Sequence, residues 1–481
     1  MTYLLKGGLV ATWTSDNQPL TLLADVLVED ATIVRVDKQI DVGPNVQVVD
    51  CTGKWIIPGM VDTHRHTWMA IMRGSQGDWL LTEYLVKNSW HEQGDITVPE
   101  IRIGQLAGCL DALNSGVTTI LDHFHAANSP EHADAVLEAT IQSGARVILS
   151  MSRQSAPTQV FPHFEFANEA AADKWQWEKL EEWAGKGGGQ LTEDGRVLLG
   201  FAYDLDMFNP DPALMPMHQA AIKRARALPA AVITSHVVSG PRILDWKKAG
   251  FLGPDVVFSH CNVLFQHTEV DDEMWNAMKE HKCSIASTPA DELNMAHGNP
   301  VALEAVDRGV KCGLGIDCAS INGGDLFTQM KVALGWARGR RNEEVVNKKL
   351  QPPQYNKHNA VDAFRLATLG GAEALNLSNT IGTIEAGKKA DIVVLDADSV
   401  NLAGIRDPFK GVVFHATDAD VELVMVNGEI VKKNGKLCKI EWGPVAKELR
   451  ERAEAVRERW PDAKLDELWS KYYAQDPNMK L

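Results

Sequence analysis

The feature that most constrains the fold of this chain is an alternation of short apolar, β-branched segments with longer amphipathic segments. Each short segment fits a buried strand and each longer one a helix, which is typical of repeated βα units. The predicted strands are Trp55–Val61, Val117–Leu121, Arg146–Leu149, Val197–Phe201, Ala230–Ser235, Val256–Ser259, Cys283–Ser287 and Val310–Ile316. Eight successive units predict an α/β protein with a closed (β/α)8 barrel. An open doubly wound sheet is the alternative, but no glycine-rich dinucleotide-binding fingerprint follows an early strand.

Both ends of the chain have the pattern of β-strands instead. Short alternating runs precede residue 55, and a β-rich stretch after residue 375 contains the hairpin turn Asn427-Gly428. Because the termini of a compact unit often lie close together, we expect both stretches to form one small composite β-sandwich domain. The predicted domains are 1–55 with 375–440 for this composite domain, 56–374 for the barrel and 441–481 for a helical tail. The charged tail is expected to pack on the surface or on a partner subunit.

Two long segments interrupt the βα pattern. Residues 74–100 follow the first predicted strand, and residues 151–195 follow the third. The second segment contains Trp175, Trp177 and Trp183. A long aromatic loop at the mouth of a barrel predicts a lid over a flat, partly aromatic substrate. The alternative is a set of helices that pad the outside of the barrel.

Composition and charge exclude several classes of function. The formal net charge is −16, whereas binding to nucleic-acid phosphates needs a clustered basic surface. The N-terminus lacks the pattern of a signal peptide, and no stretch reaches the ~18 apolar residues of a spanning helix. Seven scattered cysteines without a CxxC pair fit reduced thiols. We therefore expect a cytoplasmic protein that acts on a small molecule and binds neither nucleic acid nor membrane.

Histidines and an aspartate stand at the ends of predicted strands, where a (β/α)8 barrel places its catalytic residues. They are His64 and His66 after the first strand, His236 after the fifth, His260 after the sixth and Asp317 after the eighth. One histidine at a strand end would more often be a satisfied core residue. The whole set, however, supplies the imidazole and carboxylate donors that a borderline divalent cation prefers. The sequence therefore predicts one divalent metal ion, with zinc favoured and iron as the alternative.

A series of motifs extends from the first predicted strand to about residue 435. The motifs are Pro58-Gly59-Met60-Val61-Asp62-Thr63-His64-Arg65-His66 with Arg73-Gly74, Gly253-Pro254-Asp255 with His260, Gly313-Leu314-Gly315-Ile316-Asp317, Ala367-Thr368-Leu369-Gly370-Gly371-Ala372, and Gly382-Thr383-Ile384-Glu385-Ala386-Gly387-Lys388-Lys389-Ala390-Asp391-Ile392. This series resembles the amidohydrolase superfamily, in the branch that contains cytosine deaminase, guanine deaminase, methylthioadenosine/S-adenosylhomocysteine deaminase and the triazine hydrolases.

The resemblance implies roles for the strand-end residues. The implied metal ligands are His64, His66, His236 and Asp317. Asp317 would also take a proton from metal-activated water and later deliver it to the leaving group. His260 would orient that water or stabilise the negative charge that develops on the substrate. The family habit further implies a homo-oligomer.

Two segments depart from the deaminases of this branch. Ser239 stands where those enzymes carry the glutamate of an HxxE motif, which protonates a ring nitrogen, and a hydroxyl cannot supply that proton near neutral pH. After the seventh strand, a CP(T/S) run is replaced by a segment with Asp291, Glu292 and His297. Glu292 or Asp291 is a candidate replacement for the missing acid, while His297 and Ser239 are candidate substrate contacts. A surface-exposed acidic loop without a catalytic part is the alternative.

Other candidate substrate contacts lie near the ends of other strands. Trp68 and His125 are predicted to line the pocket, and Tyr203 and Asp204 follow the fourth strand. A second metal near His125 is disfavoured, because no Lys or Glu at the end of the fourth strand could bridge two ions.

Three functions remain open at this level. The leading hypothesis is hydrolytic deamination of an amino-substituted N-heterocycle. The second is hydrolysis of a cyclic or exocyclic amide, for which no ring nitrogen is protonated and the absent glutamate does not matter. The third is a non-catalytic binding relative, against which stand five polar groups that are costly to keep around one pocket.

Overall fold

The structure, a computed structural model, describes residues 1–152, 157–159, 165–166, 169–208, 211–265 and 268–475. The strands in chain order are β1 Thr2–Trp13, β2 Pro19–Glu29, β3 Thr32–Asp37, β4 Gln47–Asp50, β5 Lys54–Pro58, β6 Met60–His66, β7 Val117–Phe124, β8 Arg146–Ser152, β9 Pro157–Gln159, β10 Glu165–Phe166, β11 Val197–Ala202, β12 Ile233–Val237, β13 Val256–His260, β14 Ser284–Ser287, β15 Lys311–Leu314, β16 Asp317–Cys318, β17 Ile392–Asp396, β18 Val421–Val426, β19 Glu429–Lys433 and β20 Lys436–Leu437.

The α-helices are α1 Leu81–Tyr84, α2 Val98–Asn114, α3 Pro130–Ser143, α4 Glu169–Gly185, α5 Leu205–Phe208, α6 Met215–Ala227, α7 Arg242–Ala249, α8 Glu269–His281, α9 Pro289–Asn294, α10 Ala302–Arg308, α11 Leu326–Asn347, α12 Ala360–Ala367, α13 Leu369–Ala374, α14 Pro408–Phe414, α15 Trp442–Arg459 and α16 Asp462–Gln475. Short 3-10 segments cover Thr67–Met72, Gln93–Asp95, Pro212–Leu214, Asn262–Phe265 and Asp418–Asp420, and a π-helix covers Leu85–Glu92. A membrane-spanning helix is absent from the part of the chain that the structure describes, because no helix there combines the needed length with sufficient apolarity.

Parallel strands close into the predicted (β/α)8 barrel. Its strands, in order around the barrel, are β6, β7, β8, β11, β12, β13, β14 and β15. Leu314 in β15 pairs with Asp62 in β6, which closes the barrel. Because all of these strands run in one direction, their C-terminal ends meet at one face, and the residues after them can converge on one site.

The first predicted strand is wrong in one respect: residues 55–61 contain two strands that belong to different sheets. β5 pairs with β1 and β17, whereas β6 is in the barrel. The chain changes sheet at Gly59, whose amide donates to the Asp391 carbonyl. A Cβ there would lie 2.1 Å from Thr118 Oγ1. A continuous apolar run does not reveal this change, because both strands are buried.

The two chain ends form one composite sheet, as predicted. Its strand order is β20-β19-β18-β17-β5-β1-β2-β3, with β4 paired to β1. Asn427 and Gly428 both have positive φ, 51° and 78°, as a two-residue hairpin turn between β18 and β19 requires. Arg146 in β8 binds Asp391 in front of β17 through Nε at 2.8 Å and Nη2 at 2.9 Å, which ties the barrel to this sheet. The domain boundaries at 55, 375 and 440 stay predictions.

The helical tail packs on the first insertion of its own chain. Arg459 at the end of α15 binds both carboxylate oxygens of Glu100 in α2, at 2.9 and 2.7 Å. Asp466 in α16 accepts a bond of 2.6 Å from Lys87 in the π-helix. The surface-packing alternative therefore describes this tail, and homo-oligomerisation stays a prediction.

The tryptophans of the second insertion pad the barrel. Trp177 and Trp183 in α4 are buried, and Trp177 stacks on Phe201 of β11 with ring centroids 5.5 Å apart. Arg224 in α6 lies 4.4 Å from the Trp177 ring. The padding alternative therefore describes Trp177 and Trp183, because they fill the layer between the barrel and its helices. Residues 153–156, 160–164 and 167–168 of this insertion lie outside the described residues.

We predict that Arg146→Ala lowers the free energy of unfolding by about 3–5 kcal/mol, because Asp391 is left as a buried charge without its partner. Arg146 is 3% exposed. The matched control is Arg35→Ala, which removes an exposed pair with Asp37 and costs at most about 1 kcal/mol. Urea unfolding of both variants checks this, and equal losses would contradict it.

Candidate metal centre

The predicted metal ligands meet at the C-terminal face of the barrel. His64 Nε2 and His66 Nε2 each lie 3.2 Å from Asp317 Oδ1, and His260 Nε2 lies 3.6 Å from Asp317 Oδ2. The His236 ring lies beside them, with its centroid 4.9 Å from that of His64. Four imidazoles and one carboxylate from four separate strand ends therefore surround one point.

Each of the four imidazoles is held at Nδ1 by a neighbouring oxygen. The pairs are His64 with Ser259 Oγ at 2.8 Å, His66 with the His123 carbonyl at 2.7 Å, His236 with Asp204 Oδ2 at 2.7 Å, and His260 with Thr288 Oγ1 at 3.0 Å. Such outer contacts fix the ring orientation of metal-binding histidines and leave Nε2 for the ion. A metal site needs this arrangement. A histidine that only fills the core needs no free Nε2 directed at a shared point.

One atom in particular has the surroundings expected of a metal ligand. His64 Nε2 is buried and has no hydrogen-bond partner among the described residues, although Asp317 Oδ1 is only 3.2 Å away. The two atoms are close enough to bind one ion together. The donor set of imidazole nitrogens and a carboxylate oxygen also suits zinc.

The charges of the site are also those of a cation site. Burial raises the pKa of Asp317, but the imidazoles of His260 and His64 outweigh this effect and hold its pKa well below the ordinary range. Burial lowers the pKa of His64 well below its usual value and that of His260 to about 4. At neutral pH, Asp317 is therefore anionic while these two imidazoles are neutral, which is the protonation state that metal binding requires. Burial and the charge of Asp317 raise the pKa of Asp291 well above its usual value.

Two site residues have left-handed backbone. His260 has φ 71° and Asp317 has φ 63°, which side-chain-bearing residues rarely adopt. Such conformations cost of the order of 1–3 kcal/mol each and persist where the surroundings impose them. Hydrogen bonds impose the turn here: the Cys261 amide donates to the Ser259 carbonyl, and the Cys318 amide donates to Asp291 Oδ2.

Asp204 is the site residue whose role the sequence did not reveal. It follows β11 and contacts His236 at both Nδ1 and the backbone amide, at 2.7 and 2.8 Å. His123 Nε2 also lies 3.2 Å from Asp204 Oδ2. Tyr203, by contrast, points outward and its hydroxyl contacts His218 Nδ1 in α6. The one sequence signal that could have indicated this role is the position of Asp204 directly after a barrel strand.

The predicted substrate contacts divide into three groups. Trp68 and His125 flank His66 on one side, with the Trp68 and His125 ring centroids 5.7 Å apart. His297 lies on the other side, 4.8 Å from His260 between ring centroids. Trp68 Nε1 and both nitrogens of His125 and of His297 are buried, with no hydrogen-bond partner among the described residues. Such groups are unsatisfied until a ligand or water reaches them.

Glu292 and Ser239 lie elsewhere. Glu292 is fully buried behind His260, with Oε1 3.6 Å from His260 Nδ1, and it accepts from the Thr288 amide at 2.8 Å. Burial raises its pKa to about 7. The surface-loop alternative is therefore wrong for Glu292. Ser239 is exposed past the end of β12, so it provides no buried acid at the HxxE position.

The insertion at residues 74–100 covers one side of the site. Gln93 Nε2 donates to the His125 carbonyl at 2.7 Å. The Leu81 amide donates to the Met295 carbonyl at 2.9 Å, next to the segment that carries His297. These contacts join the insertion to two sides of the barrel mouth, beside the segments that carry His125 and His297.

Comparison with known proteins agrees with this geometry. The sequence pattern of the Amidohydrolase family matches residues 55–195 and 225–431. The 5'-deoxyadenosine deaminase of Methanothermobacter thermautotrophicus is 28% identical over 425 residues, which are 86% of this chain and 91% of that protein. The 5-methylthioadenosine/S-adenosylhomocysteine deaminase of Thermococcus kodakarensis is 27% identical over 418 residues, 85% of this chain and 89% of that protein.

A solved structure shares the fold. The adenosine deaminase from Xanthomonas campestris with bound zinc superposes with a TM-score of 0.76 at 20% identity, over 95% of this chain and 98% of that one. The family pattern includes the HxH run, the ends of β12 and β13, and Asp317, all of which the barrel brings together. The chain therefore belongs to the Amidohydrolase family.

Proposed function

We propose that this protein is a zinc-dependent aminohydrolase that replaces the amino group of an N-heterocycle with an oxo group. The observation that carries this proposal is the set of four imidazoles, each anchored at Nδ1, around Asp317. The names of the relatives, which are deaminases of adenine nucleosides, support deamination as the reaction. A small heterocycle is therefore the expected substrate.

The proposed metal ligands are His64, His66, His236 and Asp317. A zinc ion held there acts as a Lewis acid that makes water a better nucleophile at neutral pH. Asp317 is the group that accepts the proton of the attacking water, because its carboxylate is ionised and lies at the centre of the site. The same carboxyl then donates that proton to the departing amine.

His260 is proposed to orient the water or the reacting substituent. Its Nε2 lies 3.6 Å from Asp317 Oδ2 and its Nδ1 is held by Thr288, so the ring presents one fixed nitrogen to the site. The left-handed backbone at residue 260 turns the side chain into the barrel mouth. A fixed ring contributes to catalysis because no reorganisation is needed during the reaction.

Glu292 is proposed to replace the missing HxxE acid. Its pKa of about 7 keeps much of it protonated at neutral pH, and its Oε1 faces His260 Nδ1 at 3.6 Å. If the two side chains approach within hydrogen-bond distance, a proton from Glu292 can reach His260 Nδ1 in place of Thr288 Oγ1, while the Nε2 proton passes to a ring nitrogen of the substrate. Asp291, whose pKa is raised by burial and by the charge of Asp317, is the alternative acid.

The unpaired groups around the site define the proposed substrate pocket. Trp68 Nε1 is a donor, whereas His125 and His297 can each donate or accept. Ring nitrogens and exocyclic oxygens of a planar heterocycle provide matching partners on opposite edges. We therefore propose that Trp68 and His125 bind one edge of the ring and His297 the other.

One observation favours a second function. Ser239 is exposed, and hydrolysis of a cyclic or exocyclic amide needs no acid at that position. The two functions are separated by mass spectrometry of zinc-loaded protein with aminopurines, aminopyrimidines, triazines, lactams and N-acyl arylamines. Replacement of an amino group by an oxo group supports deamination, whereas net addition of water or loss of an acyl group supports amide hydrolysis.

We predict that Asp317→Asn lowers kcat by at least about 10²–10⁴-fold, because the amide cannot accept a proton. The fold should be retained, since the asparagine side chain has the same size. Product formation and circular dichroism of the same preparation check both statements. Wild-type activity in this variant would contradict the proposed mechanism.

Trp68→Phe should raise KM about 3–10-fold with little change in kcat, because one neutral hydrogen bond to substrate is lost. Stability should fall in this variant only through the cavity that the smaller ring leaves at this buried position, since Nε1 has no partner among the described residues of the free protein. The matched control is Trp183→Phe, which also removes an unpartnered, buried Nε1 but lies outside the barrel. A similar rise of KM in both variants would contradict a contact between Trp68 and substrate.

Glu292→Gln tests the burial of this acid through its pH dependence. The folded pKa of about 7 is above the ordinary value of 4.5, so its contribution to stability is full below pH 4.5 and is lost as pH rises through 7. This pKa difference corresponds to about 3 kcal/mol. Urea unfolding of metal-free protein should therefore show the variant gaining about that much relative to wild type between pH 4.5 and pH 8. Parallel pH profiles of the two proteins would contradict a raised pKa of Glu292.

A further inference from the structure

Asp204 makes contacts that distinguish His236 from the other proposed ligands. Its Oδ1 accepts from the His236 amide at 2.8 Å and from the Ser235 hydroxyl at 3.0 Å. Its Oδ2 lies 2.7 Å from His236 Nδ1. The side chain is 10% exposed, and Arg242 Nη1 lies 3.6 Å from Oδ1. Both oxygens are therefore committed, and the carboxylate has one fixed orientation.

We propose that Asp204 is a positioning residue that fixes the tautomer of His236, so that the Nε2 lone pair faces the metal site. This inference rests on the proposed function only in assuming a metal at that site. An ionised carboxylate has acceptors and no donor. His236 Nδ1 must therefore carry the hydrogen, and Nε2 is left as the free base that can bind a metal.

The anchors of the other imidazoles act differently. Ser259 and Thr288 hold their histidines through hydroxyls, which can either donate or accept and so do not select a tautomer. The His123 carbonyl that holds His66 accepts but is neutral. Among the described residues, His236 alone in this set has a carboxylate within hydrogen-bond distance of Nδ1, since Glu292 Oε1 lies 3.6 Å from His260 Nδ1. A charged acceptor at Nδ1 also makes Nε2 a stronger ligand.

His123 reinforces the same point. Its Nε2 lies 3.2 Å from Asp204 Oδ2, and its ring centroid is 4.3 Å from that of His236. Nitrogen atoms of His64, His123 and His236 lie within 4.8 Å of one another. One carboxylate thus lies between two imidazoles, and the hydrogen bond among these contacts is the one to His236 Nδ1.

The decisive variant is Asp204→Asn, which preserves the size of the side chain. The oxygen of the amide is needed at the Oδ1 position, where two donors point, so its NH2 group must face His236 Nδ1. A donor at that position forces Nδ1 to accept and moves the hydrogen to Nε2. The variant should therefore bind zinc about 10–100-fold more weakly than wild type.

Two measurements test this without relying on turnover. Competition with a chelator gives the zinc affinity, and ¹⁵N NMR of histidine-labelled, metal-free protein gives the tautomer of His236. Although burial lowers the pKa of His236, Asp204 raises it above its usual value, so the spectra are recorded at a pH at which the ring is neutral. We then expect the Nδ1–H tautomer in wild type and the Nε2–H tautomer in Asp204→Asn. An Nε2–H tautomer in wild type would overturn the inference even if the variant fails to fold.

The matched control is Asp206→Asn. Asp206 lies two residues further on and binds Arg242 Nη2 at 2.6 Å and Trp246 Nε1 at 2.8 Å, with no contact to a site histidine among the described residues. Its zinc affinity and the tautomer of His236 should equal those of wild type. Unchanged zinc affinity in Asp204→Asn, or an equal loss in both variants, would overturn the inference.

The outcomes also separate this inference from the proposed function. Wild-type protein that binds zinc and shows the expected tautomer, but deaminates none of the heterocycles, would contradict the function and support the role of Asp204. Deamination by wild type together with normal zinc binding by Asp204→Asn would do the reverse.

Discussion

The site depends on four imidazoles whose Nδ1 atoms are held from outside while Asp317 occupies the point between them. A closed parallel barrel makes this possible, because it places the C-terminal ends of its strands in a ring. The holding oxygens come from neighbouring strand ends: Ser259 from β13 holds His64 of β6, and Asp204 after β11 holds His236 of β12. Each strand end therefore supplies both a site group and the support for another.

Burial of the site changes the pKa values of its residues, and these changes determine its chemistry. The same dry surroundings keep His64 and His260 neutral, and raise the pKa of Glu292 to about 7. Only the ring of imidazoles keeps Asp317 ionised. Two buried carboxyl groups thus differ in protonation because imidazoles offset the burial of Asp317, whereas the Ser287 hydroxyl and the Thr288 amide do not offset that of Glu292.

Much of the fold could be predicted from sequence, and so could the strand-end positions of His64, His66, His236, His260 and Asp317, because strand periodicity and the residues that follow each strand are local signals. Contacts between residues that are distant in sequence could not be predicted in this way. Asp204 follows a strand as many aspartates do, and its bond to His236 arises from the pairing of β11 with β12. Buried and lid-forming tryptophans have the same sequence pattern, so the sequence leaves a lid and a padding helix both open for Trp177, which packs on Phe201. Gly59 was hidden inside one apolar run, since a change of sheet leaves both flanking strands buried.

The link between the helical tail and the first insertion has a consequence for the order of folding. Arg459 follows Glu100 by 359 residues, yet the two form an ion pair. This pair joins the tail to the first turn of α2, where the insertion ends. During synthesis the barrel strands emerge before residue 459, and domains generally fold as their segments become available. A growing chain can therefore form the barrel, while the support from the tail must wait for the last helices. A metal ion that bound at that stage would reach the strand-end histidines before the tail has bound the insertion beside them.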